Sequence, residues 1–267
     1  MPQLQRIAIS PFQLQSGQIS LTQQQQHYLG RVLRLREGDR FIAMDGMGKW
    51  WLAQLTGEQA QVLEPLEVQT ELPVSITLMV ALPKGNGFDE VVRCCTELGV
   101  ACIAPVVSDR TLLNPSPQKL ERWRRIAAEA AEQSERSFVP TILEPVAFST
   151  ALSTAISQES FANNQQYICE ARGQYPHLLN CLRDKATDTD KGQTTIVIAT
   201  GPEGGWTDKE IENAIQVGFQ PVSLGKRILR ALTAPIVALS TVAAQLESVE
   251  VKLGGAELGG AELGIRS

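Results

Sequence analysis

An apolar run ending in Ile198-Ala199-Thr200 breaks on Gly201-Pro202-Glu203-Gly204-Gly205 and leads into Thr207-Asp208-Lys209-Glu210. A glycine-rich corner between a strand and a helix often handles phosphate, so that chemistry is tested first. A P-loop needs G-x-x-x-x-G-K-[ST], and no lysine follows Gly204-Gly205 to reach a phosphate. The dinucleotide fingerprint G-x-G-x-x-G is also absent, and it belongs to a first βαβ unit, whereas this corner follows at least four strands. Thr207 and Glu210 make an S/T-x-x-E capping box, so the helix start is satisfied from within and is not reserved for an anion. What remains is a tight turn stiffened by Pro202, serving either as a turn alone or as a loop whose backbone comes close to a ligand.

A second loop of the same kind follows. "PVSLG" (221–225) reads as a short strand ending in glycine, "KRILRALTAP" (226–235) as a loop, and Thr233 as the cap of the last helix. At the carboxyl ends of parallel strands, loops after two successive strands lie side by side and form a crevice.

Other chemistries find less support. The two histidines, His27 and His177, are far apart, so neither a His-based metal site nor a Ser-His-Asp triad is expected. Cys94, Cys95, Cys102, Cys169 and Cys181 form no CxxC pair, and an odd count suits free thiols in a reducing cytosol. The opening "MPQLQRIAIS" has no basic n-region or long apolar stretch, so no signal peptide is expected. No apolar run is long enough for a membrane span. Net charge is −5, which argues against coating nucleic acid by bulk charge. Local charge differs: Arg31, Arg34, Arg36 and Arg40 cluster early, Lys119, Arg122, Arg124 and Arg125 in the middle, and Lys226, Arg227 and Arg230 late. Each cluster alone fits a solvated face; three together suit a polyanion bound through patches.

These residues need elements to hold them. At 267 residues with 43% apolar and 20% charged composition, the chain has length for one large or two smaller domains. Residues 1–72 read as short strands with a turn at Asp45-Gly46, and a compact barrel is how such strands avoid open edges. One helix interrupts them, capped by Thr22, with Tyr28, Leu29, Val32 and Leu33 on its apolar face. Trp50 and Trp51 are expected as one core and one surface position of a strand. From residue 73 the pattern becomes α/β. "VSITLMVAL" (74–82) is a strand covered on both faces. The helix "FDEVVRCCTELG" ends at Gly99, and "CIAPVV" (102–107) is the next strand. A long helix opens at Ser116-Pro117, with Leu120, Trp123, Ile126, Ala127 and Ala130 at helical spacing. Strands "TILEPV", "YICE" and "TIVIAT" follow, and 184–193 reads as a polar loop. In the helix that Thr207 caps and Gly218 ends, Ile211, Ala214 and Ile215 are expected inward. Alternating strands and helices imply a parallel sheet covered on both sides, over 73–251. The repeat of LGGAE in 252–267 is expected to be a flexible tail.

The run "GPEGGWTDKEIENAIQVGFQPVSLGKRILRALTA" resembles the cofactor-binding end of the SPOUT methyltransferases, closest to the family that methylates N3 of a uridine in bacterial small-subunit (16S) ribosomal RNA. "LPKGNGFDEVVRCCTELGVACIAPVVSDRT" (82–111), "RWRRIAAEAAEQSERSFVPTI" (122–142) and "HYLGRVLRLREGDRF" (27–41) are similar to further parts of that family, in the same order. The resemblance implies an α/β fold with a trefoil-knotted parallel sheet, a PUA-like N-terminal β-barrel that binds RNA, and a homodimer. It implies S-adenosylmethionine as cofactor, the 30S subunit as substrate, a cytoplasmic setting, and no membrane or metal.

Residue by residue, it assigns Thr200, Gly201, Glu203 and Gly205 to one cofactor loop. Leu224, Gly225, Ile228 and Leu229 fall in the other, with Thr233 closing it. Backbone groups would bond the adenine, and Ile228 and Leu229 would pack on it. Arg230 is the expected catalytic residue, stabilising charge on the uracil oxygens. Asp109, Glu132, Glu203 or water are open candidates for the N3 proton. Where the family carries Thr-Glu after the arginine, this chain has Ala231-Leu232, so a carboxylate at the second position cannot act here. RNA contacts are expected from Arg31, Arg34, Arg110, Arg122, Gln133 and Arg136; for Arg122 a helix-surface ion pair is the competing expectation. The alternatives are a related enzyme acting on transfer RNA or another ribosomal position, and a non-catalytic RNA-binding protein of the same fold. The intact glycine loops speak against the latter.

Overall fold

Residues 4–111, 115–157, 165–185 and 195–254 are described by the computed structural model. Short alternating segments at the start pair into one six-stranded sheet. They are β1 (Arg6–Ala8), β2 (Leu14–Gln15), β3 (Gln18–Ser20), β4 (Arg40–Met44), β5 (Trp50–Thr56) and β6 (Gln59–Leu66). The spatial order is β1-β4-β5-β6-β3-β2, with β1–β4 parallel and the other pairs antiparallel. Among the described residues the pairing is an open path from β1 to β2, so the expected barrel is realised as a curled half-barrel sheet. Ile7, Ile19, Phe41, Ala43, Ala53, Leu55 and Ala60 form its core.

The helical segment differs from its expected stripe. Helix α1 (Gln23–His27) starts at the Thr22 cap, with Gln25 closing a capping box, and passes into a π-helical turn over Tyr28–Val32. Leu33 N–H donates to Tyr28 O, a five-residue step that moves later side chains off the 3.6-residue period. Leu29 alone is fully buried there, while Tyr28 and Val32 are exposed. Register also shifts between Leu52 and Ala53 in β5. Trp50 is buried beneath Arg6, and Trp51 packs partly against the sheet's core, so neither tryptophan is a bare surface position.

The second sheet is built from β7 (Ser75–Ala81), β8 (Cys102–Val107), β9 (Thr141–Ile142), β10 (Val146–Ala147), β11 (Gln165–Cys169), β12 (Thr195–Thr200) and β13 (Gln220–Val222). All pairs are parallel, in the order β10-β8-β7-β12-β11-β13, with β9 also on β8. The helices are α2 (Gly87–Glu97), α3 (Pro117–Gln133), α4 (Phe148–Ser157), α5 (Leu178–Lys185), α6 (Asp208–Gln216) and α7 (Thr233–Gly254). Alternation along β7 explains its unbroken apolar run. Ile76, Leu78 and Val80 join one core, with side chains of α2, α3, α5 and α7. Met79 and Ala81 join the other, with side chains of α4 and α6.

Several local expectations need correction. "TILEPV" is two short strands, β9 and β10, both beside β8. Helix α5 was not foreseen, and it runs into the segment expected as a polar loop from 184; residues 186–194 lie outside the described residues. Ile215 is 48% exposed, leaving Ala214 and part of Ile211 as the buried face of α6. α7 begins at Thr233 itself, the residue expected to precede it as its cap. The tail expected from 252 begins inside α7, and 255–267 lie outside the described residues.

Candidate functional site

Loops at the carboxyl ends of three adjacent strands enclose a cleft of ≈ 280 Å³. The strand order there is β12-β11-β13, so the two glycine loops are not direct neighbours. β11 stands between them and adds a third loop, Glu170 to Tyr175, which the sequence reading missed. Its signal was present: Gly173 and Pro176 punctuate a polar stretch directly after an apolar strand. Only the strand order makes that loop the middle of the site. Glu170 N–H donates to Val222 O, and Arg172 N–H to the Glu170 carboxylate at 2.7 Å.

The first glycine loop is held from both sides. Glu203 accepts the Lys84 N–H at 3.0 Å, from the loop after β7. Arg110, after β8, donates through Nη1 to Gly204 O at 2.6 Å and Trp206 O at 3.1 Å. Trp206 is buried and stacks on Phe148 with ring centroids 4.3 Å apart. The capping box forms: Thr207 Oγ1 accepts Glu210 N–H, and Glu210 Oε2 accepts Thr207 N–H at 2.8 Å. Glu210 is 6% exposed, and its other oxygen accepts Asp109 N–H at 2.9 Å. In the second glycine loop, Ser223 Oγ accepts Gly225 N–H at 3.1 Å. Thr233 and Ala234 N–H both donate to Arg230 O, which closes the loop onto α7.

The backbone at two points is open to a ligand. Gly205 has φ +70° and Gly225 φ +118°, conformations that side-chain-bearing residues rarely adopt, and no atom lies within 4 Å of where a Cβ would sit on either. Leu224, Ile228, Leu229 and Ala231 supply apolar wall, while Glu170, Arg172, Asp208 and Arg227 supply charge. Burial and the Glu170 charge push the Cys169 thiol up to about 12, so on this wall it is a neutral thiol. The combination suits a ligand with a neutral, planar part held by backbone and a charged part near the rim.

Gly201, Glu203, Gly205, Leu224, Gly225, Ile228 and Leu229 all line the cleft; Thr200, Thr233 and Arg230 do not. Thr200 is fully buried at the end of β12, and its hydroxyl has no partner among the described residues. Arg230 is exposed on the second glycine loop, and the lining arginine of that loop is Arg227, expected only as part of the late basic cluster. Leu232 packs into the core and lies beside Gly87 at the start of α2, so the position lacking the family's carboxylate faces away from the cleft. Of the candidate proton acceptors, Glu203 alone lines the cleft. Asp109 accepts from Thr207 Oγ1 at 3.3 Å. Glu132 lies in a separate groove with Tyr28 and Gln133, where burial raises its carboxyl above the usual range.

The expected RNA contacts divide. Arg31, in the π-helical turn, and Arg34, just after it, are exposed on the N-terminal unit, with no acidic partner among the described residues. Arg110 is committed to the glycine loop, though its side chain still reaches the surface. Arg122 pairs with Asp89 of α2 at 2.8 Å. Arg136 is the clear correction. It is 4% exposed, with its guanidinium bonded to Glu71, Thr96 O and Val100 O, so it has nothing to offer a phosphate.

Residues 70–243 match an RNA methyltransferase domain family, and residues 21–63 an RNA methyltransferase PUA domain family. The chain is 49% identical over 246 residues to ribosomal RNA small subunit methyltransferase E of Synechocystis sp., covering 91% of this chain and 78% of the relative. To the Bacillus subtilis protein of that name it is 30% identical over 237 residues, covering 85% and 90%. A Neisseria gonorrhoeae ribosomal RNA small subunit methyltransferase E, solved bound to S-adenosyl methionine, superposes with a TM-score of 0.75 at 32% identity, covering 91% of this chain and 97% of that one.

Proposed function

The chain belongs to the ribosomal RNA small subunit methyltransferase E family of RNA methyltransferases, and on that premise we propose that it uses S-adenosylmethionine to methylate N3 of a uridine in small-subunit ribosomal RNA. The reading takes the assembled 30S subunit as substrate, in the cytoplasm, with two copies of the chain acting together. The observation that carries it is the three-loop cleft, where Gly205 and Gly225 leave backbone unobstructed beside apolar walls. Those residues fit the cofactor: backbone left uncovered at Gly205 and Gly225, beside Leu224, Ile228 and Leu229, suits a neutral nucleoside better than a phosphate. The trefoil knot belongs to the same proposal. It is supported by a chain that leaves β11 for β12 on one side and returns to β13 on the other.

The cofactor supplies an electrophilic methyl carried on a sulfonium. The protein's part is alignment, which is worth about 7–11 kcal/mol when the reacting atoms are well oriented. Arg110 and Glu203 fix the first glycine loop, so its backbone needs no rearrangement to receive a ligand. Arg230 and Arg227, both on the second loop, are the cations available to charge developing on the uracil oxygens. Three carboxylates line the cleft, Glu170, Glu203 and Asp208, and the reading passes the N3 proton to Glu203.

The test is methyl transfer to undermodified 30S subunits and to naked RNA, with the methylated atom mapped. Product at uridine N3 on the assembled subunit is expected, with a loss in Arg230→Ala of at least roughly tenfold, and up to the roughly hundred- to thousandfold cost of removing one charge-stabilising donor. Methylation of carbon or ribose overturns the N3 assignment. Unchanged turnover in Arg230→Ala overturns the role given to that side chain.

A further inference from the structure

The segment just after α3, residues 135–139, is gripped from several directions. Arg6 of β1 pairs with Glu135 at 2.8 Å. The β4–β5 turn adds two backbone bonds, Gly48 N–H to Ser137 O at 2.8 Å and Val139 N–H to Gly46 O at 2.9 Å. Thr70 and Ser137 share a hydroxyl bond at 3.0 Å. At the centre, Arg136 is bonded on both sides of its guanidinium. Nη1 donates to Thr96 O at 3.0 Å and Val100 O at 2.7 Å, at the end of α2, while Nε and Nη2 donate to Glu71 Oε2. The other Glu71 oxygen accepts Ser137 N–H at 2.8 Å and Phe138 N–H at 3.2 Å. Glu71 lies between the two sheets, after β6 and before β7.

We propose that Glu71 and Arg136 are positioning residues that lock the N-terminal sheet in one orientation relative to the cleft, so that its exposed arginines and the cleft engage one RNA together. A buried ion pair is a poor device for raw stability, because desolvation offsets most of its attraction. It is a good device for geometry. The planar guanidinium is always charged and fixed by several directional bonds, so it joins α2, α3 and the linker in one arrangement. Arg31, Arg34, Arg36 and Arg40 are exposed on the N-terminal unit, with no ion-pair partner among the described residues. Two attachment points on a rigid body raise each other's effective concentration, and a loosened joint dilutes that gain. The inference rests on the reading of the protein as an RNA methyltransferase of this substrate class.

The test uses the full chain with Glu71→Gln, which keeps shape and removes charge, and Glu71→Asp as the conservative companion. A double variant, Thr70→Val with Ser137→Ala, removes the neutral hydroxyl pair and the Thr70 acceptor of Ser137 N–H, leaving the Glu71–Arg136 pair in place, and serves if Glu71→Gln fails to fold. Three quantities are measured: hydrogen exchange at the Gly48, Ser137, Phe138 and Val139 amides, S-adenosylmethionine affinity, and KM, kcat and Kd with undermodified 30S subunits. Faster exchange at those amides is expected in Glu71→Gln, with cofactor affinity and kcat unchanged and with Kd and KM for the subunit raised roughly tenfold. Glu71→Asp should recover part of the loss, and the double variant should move in the same direction by roughly threefold. Faster exchange with unchanged subunit affinity overturns the proposal, as does a parallel fall in cofactor affinity or kcat. A wild type that binds the subunit yet transfers nothing refutes the proposed reaction, and the Kd ratio still judges the joint. A wild type that does not bind the subunit overturns both.

Discussion

Replacing Gly225 with alanine separates what the second glycine loop does for the fold from what it does for a ligand. The residue has φ +118°, and no heavy atom lies within 4 Å of the added Cβ. The folded protein therefore meets only the backbone penalty, about 1–3 kcal/mol for a residue held in a sparsely populated region. In a protein of this size each kcal/mol lowers Tm by about 2–4 °C. A ligand meets something else, because the methyl projects into the space its adenine would occupy. Forcing one extra methyl into a well-packed contact costs about 1–3 kcal/mol, a roughly five- to 150-fold rise in Kd. The control is Gly57→Ala in the β5–β6 turn, with φ +63° and again no neighbour within 4 Å, but on the other sheet. Thermal melts and calorimetric titration with S-adenosylmethionine are run on both. Both variants should lose a few degrees, and Gly225→Ala alone should lose affinity. If the two bind the cofactor equally well, the close backbone approach at Gly225 does not exist and the cleft has been read wrongly.

Arg110→Met should weaken the cofactor, since it removes two bonds that tie the first glycine loop. A charged hydrogen bond is worth about 1.5–3 kcal/mol, so a Kd roughly tenfold higher is expected; subunit affinity falling while cofactor affinity holds would return Arg110 to the RNA-contact role. Alkaline stability follows from buried thiols. Burial pushes Cys102 up from 9.0 to about 11, partly opposed by a bond from Thr77, and Cys169 from 9.0 to about 12. The folded state keeps these protons longer than the unfolded chain, so the stability they represent is complete below pH 9.0 and drains as pH rises through 11 to 12. Urea midpoints should fall between pH 8 and pH 10.5 for the wild type, and by less for Cys102→Ser; equal falls would dismiss Cys102 as a contributor.

Much of the site was legible because it is written locally. Thr207 and Glu210 sit three residues apart and close one cap between them, and the stripe from Leu120 to Ala130 is one face of one helix. The glycines at 205 and 225 are needed for backbone conformations set by their own turns. What could not be read is adjacency. Nothing between Gln165 and Cys169 says that this strand separates β12 from β13, so the loop carrying Arg172 and Tyr175 was invisible as a wall of the cleft. Arg136 failed for a related reason. Its neighbours in sequence are polar, but its partners come from 36 to 65 residues away, and only their convergence buries it. The π-helical step after His27 is a third kind of failure, because one extra residue in a turn rotates Val32 out of the face its spacing implied.

The way the first glycine loop is held bears on how binding energy is used. A loop that orders itself around its ligand spends part of the contact energy on lost freedom, about 1–2 kcal/mol for each residue fixed. Here Gly204 and Trp206 carbonyls are already bonded to Arg110, Glu203 is bonded to the Lys84 backbone, and Trp206 is stacked under Phe148. The two hydrogen-bonded anchors come from the loops after β7 and β8, the strands next along the sheet from β12, and Phe148 opens α4 after β10. The loop's shape is therefore set by the sheet. Its glycines do not make it a flexible lid; they let a rigid turn present bare backbone. An enzyme whose chemistry depends on alignment benefits from that arrangement, because the contacts made with the cofactor go into holding it at one angle rather than into ordering the protein around it.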